Sequence, residues 1–166
     1  MEYGRDLVRK NYLLKLSGDL VSDESIELIR GLAKVAHLTI CVGGGKQINE
    51  RFEKYGYDIK FGILGRESET LVEKQMARDV LEMNQALLQD MLESKGIAAE
   101  VVIPVMYVGT VMCHVNGDQY ILSAYNGFTL IYIATTPERV EAKEEKFKEY
   151  DKIKIVGIEE LGSKQN

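Results

Sequence analysis

The sequence predicts an α/β protein: a three-layer αβα sandwich around a mostly parallel central sheet. Two observations carry this reading. Short apolar runs, several of them β-branched, alternate with helical periodicity from residue 11 to residue 158. Two of those runs pass straight into glycine turns that open helices, as strands do at the carboxyl edge of a parallel sheet. Composition agrees, since 166 residues with 45% apolar and 28% charged side chains suit one domain with a real core.

In chain order, residues 11–16 read as a buried strand, broken at Ser17-Gly18-Asp19. Ser22 and Asp23 are candidate caps for a helix over 24–36, whose Ile26, Ile29, Leu32, Ala33 and Ala36 share one face. Residues 38–42 form a second strand, followed at once by Gly43-Gly44-Gly45 and a helix over 46–55 that ends at Gly56. Ser68 and Thr70 can cap the longest helix, over 70–94, which Gly96 closes. Residues 99–108 read as one strand with Pro104 near an end or edge, and 111–115 as a further short strand. A helix over 118–125, a strand over 129–133 and a charged surface helix over 138–150 follow. Alternation over 152–158 predicts a half-exposed strand, suited to a sheet edge. The expected organisation is an N-terminal extension over 1–10, one domain over 11–160 and a disordered tail over 161–166.

A net charge of −5 and a pI near 5.2 argue against a general nucleic-acid binder, which needs a basic face. Cys41 and Cys113 lack any metal-ligand spacing and read as free thiols. The N-terminus has no apolar signal core, and no run has the length of a membrane span. The expectation is a cytoplasmic protein with no membrane partner.

Three turns carry chemical interest. Lys15-Leu16-Ser17-Gly18 can set an ammonium beside a phosphate, or be an ordinary strand end. Val42-Gly43-Gly44-Gly45-Lys46-Gln47-Ile48-Asn49 is more specific. Three glycines between a strand and a helix weaken both elements unless backbone N–H groups hold an anion there, with Lys46 adding charge. Asn116-Gly117-Asp118 puts a carboxylate at a helix start, where it can hold phosphate-binding lysines or simply cap the helix.

Together these turns resemble the amino-acid kinase superfamily, which includes acetylglutamate kinase and the UMP kinases. The matching residues are 13–18, then Gly43-Gly44-Gly45 with Ile48-Asn49, then Asn116-Gly117-Asp118, in the family's order. Gly65-Arg66 resembles the turn in which acetylglutamate kinases grip the substrate carboxylate, a task suited to a planar guanidinium. The resemblance implies transfer of the γ-phosphoryl group of ATP, with Mg²⁺, to a small carboxylate or phosphate acceptor. It implies that Lys15 stabilises the moving phosphoryl group and that Gly18, Gly44 and Gly45 donate N–H groups. It gives Asp118 the task of orienting the lysines. Ser17, Gly43, Lys46, Asn49, Arg66 and Asn116 would complete the phosphate and substrate site, with no protein-held metal.

The chain also departs from the family. About thirty residues follow the strand ending near Ile133, and they lack the family's glycine-rich segment with its second catalytic lysine. The family's TDxxG turn is Ala134-Thr135-Thr136-Pro137-Glu138 here, and Glu138 beside a phosphate would repel it. No substrate lid is expected between Gly96 and Asp118. Lys143, Lys146 or Lys148 could substitute for the missing lysine, but Glu141, Glu144, Glu145 and Glu149 interleave with them, so a solvated face laced with ion pairs explains that helix better. His114 reads as a satisfied structural histidine. The alternative to a kinase is an inactive kinase-like protein that binds a small anion or serves as a regulatory subunit. Met106, Met112, Tyr107, Tyr120, Tyr125, Phe128 and Tyr132 pack a core or, if exposed, an interface in a homo-oligomer.

Overall fold

A computed structural model describes residues 9–159. Most of the expected N-terminal extension and the expected tail lie outside the described residues. The elements are β1 (Asn11–Leu16), α1 (Asp23–Val35), β2 (His37–Val42), α2 (Gly45–Tyr55), β3 (Phe61–Gly62), β4 (Gly65–Arg66) and α3 (Leu71–Ser94). Then come β5 (Glu100–Val102), β6 (Val105–Val108), β7 (Val111–His114), α4 (Gly117–Ser123), β8 (Leu130–Thr135), α5 (Val140–Phe147) and β9 (Ile153–Gly157).

Five strands form one parallel sheet in the order β5-β2-β1-β8-β9. Strand alternation divides the core into two faces. Tyr12, Leu14 and Leu16 of β1, with Leu38, Ile40 and Val42 of β2, pack under α1 and the second half of α3. Leu13, Cys41, Ile131 and Ile133 point the other way, onto Ile121 of α4 and Phe147 of α5. The result is the expected three-layer sandwich. A smaller apolar cluster joins Ile48 and Phe52 of α2 to Ala77, Val80 and Leu81 of α3.

Local chemistry sets the helix ends. Ser22 caps α1, accepting from the Ser25 N–H at 3.3 Å. Thr70, rather than Ser68, caps α3. Its hydroxyl accepts from the Glu73 N–H at 3.2 Å, while Glu73 accepts from the Thr70 N–H at 2.7 Å. Gly96 follows α3 with φ 66, a left-handed turn that glycine adopts readily. β9 is an edge strand, as its alternation predicted.

Residues 99–108 do not form one strand. Pro104, which cannot donate to a ladder, separates β5 in the main sheet from β6, which pairs antiparallel with β7. The segment between Gly96 and Asp118, expected to lack a lid, therefore carries a hairpin whose base lies beside the site described next. A second two-stranded hairpin, β3–β4, was not foreseen, because two-residue strands leave no periodicity. The helix expected over 138–150 is shorter: Pro137–Arg139 form a 3₁₀ turn and α5 ends at Phe147. Among the described residues, no helix is long and apolar enough to cross a membrane.

Candidate functional site

A cavity of about 360 Å³ opens at the carboxyl ends of β1, β2 and β8, between the Gly43–Gly45 turn and α5. Strand alternation decides what β1 contributes. Lys15 has the parity of Leu13, so it leaves the sheet on the α4/α5 side, and its side chain is only 17% exposed. Asp118 reaches the same place from the first turn of α4. Asn116, not Asp118, caps that helix by accepting from the Asp118 N–H at 2.9 Å, which frees the Asp118 carboxylate for the cavity. Gly117 leaves room for Lys15: a Cβ there would stand 2.8 Å from Lys15 Cε and would push the side chain aside.

The Asp118 carboxylate gathers three ammonium groups. Lys15 Nζ stands 3.4 Å from Oδ1, while Lys143 and Lys146 donate to Oδ2 at 2.6 Å and 2.5 Å. Burial by itself would raise the Asp118 pKa. Lys15 and the hydrogen bonds from Lys143 and Lys146 outweigh it and hold the carboxyl well below the usual carboxylate range. Burial lowers the Lys143 ammonium from its ordinary value, and the hydrogen bond to Asp118 opposes that fall.

These lysines correct the reading of α5 as a wholly solvated face. Arg139, Lys143 and Lys146 recur at spacings of four and three, so they share one side and all three line the cavity. Glu141, Glu144 and Glu145 are exposed, outside the cavity lining. The helical period of the basic residues alone was the signal that could have found them. Glu138 is likewise exposed and does not line the cavity, so the expected repulsion of a phosphate has no geometric basis.

The glycine turn forms the opposite wall. The Gly43 N–H donates to Leu16 O at 2.8 Å, so Gly43 extends the sheet and lines the cavity without offering its own N–H. Gly44 and Gly45 stand at the start of α2, where N–H groups have no helical partner. Asn84 of α3, absent from the sequence reading, donates to Gly43 O at 3.0 Å and braces the turn. A Cβ on Gly44 would stand 2.8 Å from Asn84 Nδ2, and one on Gly18 would stand 2.8 Å from Gly43 O. Gly18 thus packs behind the turn, while Ser17 lines the cavity. Lys46 is exposed and lies outside the lining, contrary to its expected role.

Arg66 and His114 close the third side. Arg66 donates to Asn49 Oδ1 at 2.6 Å and to Gly45 O at 3.1 Å, and its guanidinium lies over the rings of Phe61 at 4.7 Å and Phe52 at 5.3 Å. Asn49 therefore positions Arg66 and does not itself line the cavity. His114 sits at the end of β7. Its Nδ1 is buried without a hydrogen-bond partner, so it is not the satisfied histidine expected. Burial, and then the Arg66 charge, push its pKa down to about 4.

Five cationic side chains thus face this cavity, with Asp118 as the single carboxylate among the described lining residues. That donor set fits an anion carrying several charges. Among the described residues, no group of three or more His, Cys, Asp or Glu could hold a metal ion. Asp118 is already engaged by lysines, so any Mg²⁺ would ride on the phosphates of its ligand.

No family model matches the chain, and no curated protein matches it. Chemistry is carried by sites rather than by folds, and here the site offers three lysines, two arginines and the start of α2 around a cavity of about 360 Å³.

Proposed function

We propose that the chain is a small phosphotransferase of the amino-acid kinase type, which moves the terminal phosphoryl group of Mg²⁺·ATP to a carboxylate or phosphate acceptor. The observation that carries this reading is the Asp118 carboxylate. It holds Lys15 from the central strand together with Lys143 and Lys146 from α5, facing the start of α2. Lys143 then takes the place of the second lysine that the family carries in a segment absent here.

In the transfer, the bond from the γ-phosphorus to its bridging oxygen breaks and a bond to the acceptor oxygen forms. ADP leaves with the electron pair. Charge that builds on the moving group and on the leaving oxygen meets Lys15, Lys143 and the N–H groups of Gly44 and Gly45. Mg²⁺ bound to the phosphates would neutralise part of the same charge. Arg66, held by Asn49 and two phenyl rings, would anchor the acceptor.

The acceptor has to arrive ionised. Asp118, ion-paired with three lysines, is held well below the usual carboxylate range, and His114 is pushed down to about 4, so both are weak bases at neutral pH. That supports carboxylates and phosphates over alcohols. A non-catalytic binder of a small anion is the second reading, favoured by the absence of any free carboxylate among the described lining residues. Exposed Met106, Tyr107, Val108 and Val111 on the β6–β7 hairpin support a homo-oligomer. The free thiols Cys41 and Cys113 support a reducing, cytoplasmic setting.

The test is calorimetric titration with Mg²⁺·ATP of the wild type and Lys15→Ala, followed by ADP release in the presence of acetylglutamate or UMP. Binding that Lys15→Ala weakens, with acceptor-dependent ADP release, supports the kinase. Binding without release under any carboxylate or phosphate acceptor selects the second reading. Absence of ATP binding removes the stand-alone kinase and leaves the binder of a small anion.

A further inference from the structure

We propose that the donor subsite reads the phosphate chain alone, so that inorganic triphosphate binds as well as ATP or GTP. This rests on the phosphotransferase reading and names its donor class. The lining carries more positive charge than one phosphate can neutralise. Lys15, Lys143 and Lys146 converge on the Asp118 carboxylate, and Arg66 and Arg139 line the same cavity. Gly44 and Gly45, at the start of α2, line it too. One carboxylate, Asp118, offsets only part of that charge.

Size points the same way. A volume of about 360 Å³ lies at the low end of the roughly 300–1,000 Å³ spanned by small-molecule sites. That space also has to admit the acceptor beside Arg66. A phosphate chain and a small acid fill it, and a nucleoside projects into solvent. A base would also need a flat apolar partner. Phe61 is the aromatic residue among the described lining residues, and its ring already carries the Arg66 guanidinium at 4.7 Å.

The experiment is calorimetric titration of the full chain, in Mg²⁺, with inorganic triphosphate, ATP, GTP and adenosine. It is repeated on Arg139→Gln and Lys143→Gln. Arg139 is exposed, so its variant keeps the fold even where Lys143→Gln does not, and thermal melts check both. The expected result is dissociation constants for triphosphate, ATP and GTP within about threefold of one another, and no heat with adenosine. Arg139→Gln should weaken all three by the same factor, about fivefold to tenfold. ATP binding at least about tenfold tighter than triphosphate would overturn the inference and leave the kinase standing. Equal binding that neither variant changes would place the phosphates elsewhere and overturn it too. Failure of every polyphosphate to bind removes the phosphotransferase reading along with it.

Discussion

Lys143 donates its ammonium to the Asp118 carboxylate at 2.6 Å across 25 positions of sequence. The contact ties the start of α4 to the middle of α5, over the C-terminal end of β1. It also sets the charge state on which binding depends. One carboxylate among three ammonium groups is stable only while ionised, and the remaining positive charge favours an anion.

Asp118→Asn should therefore loosen the fold and not merely the site. The substitution leaves three ammonium groups close together with no counter-charge. We expect a loss of about 2–4 kcal/mol in urea unfolding, below the largest buried-pair values because Lys146 is half exposed. Added inorganic phosphate should restore part of the loss by binding the lysines. An unfolding midpoint equal to that of the wild type would show that the cluster contributes nothing.

Acid should destabilise the protein in two stages. The folded-state pKa of His114 is pushed from 6.5 down to about 4 by burial and Arg66. The unfolded chain takes up that proton first, so the contribution is complete above about pH 6.5 and fades as pH falls toward 4. Asp118 is depressed as well. Its contribution is complete above about pH 4 and disappears below that. Urea midpoints from pH 3 to 8 should show both stages, and His114→Gln should flatten the upper one. An unchanged upper stage in that variant would assign it to other groups.

Gly44→Ala should cost about 1–3 kcal/mol, because the new methyl meets Asn84 Nδ2 at 2.8 Å and Leu81 at 3.3 Å. Asn84 is a side chain and can be shortened. Gly44→Ala combined with Asn84→Ala should be less damaged than the two single changes sum to, a coupling readable in a double-mutant cycle. Gly18→Ala should gain less from the same rescue, since its methyl also faces the Gly43 carbonyl. Additive losses for Gly44 and Asn84 would contradict the packing described.

Glu138→Gln should leave Mg²⁺·ATP affinity within about twofold of the wild type, since the side chain is exposed and outside the cavity. A large gain in affinity on removing this charge would mean that Glu138 turns inward when ligand binds.

The layers and the order of the main elements were legible because strand and helix periods differ and each helix carries a local start signal. Ser22, Thr70 and Gly96 act at the ends where their chemistry placed them. The site was legible where glycine density marked it, at 43–45, and where a charged residue interrupted an apolar strand, at Lys15. Lys143 and Lys146 were set aside because they were weighed against their sequence neighbours rather than along their helix face. Lys46 was over-read for the opposite reason: adjacency to a glycine run does not say which way a helix side chain faces, and Lys46 is exposed outside the cavity. Asn84 left no local trace because its partner, Gly43, lies 41 positions away, and β3–β4 left none because two-residue strands show no periodicity.

The Asp118 cluster also has a consequence for the order of assembly. Among the described residues, Lys15 belongs to the first strand, and Lys143 and Lys146 to the last helix. The two ends of the domain therefore meet at one carboxylate, and the pocket is finished only when α5 docks. A chain emerging from the ribosome would have β1, β2 and β5 in place well before α5, and its ligand affinity would come late. Ligand binding would then act as a clasp on that late step, and amide exchange along α5 should slow more than that along α1 once the anion is in place.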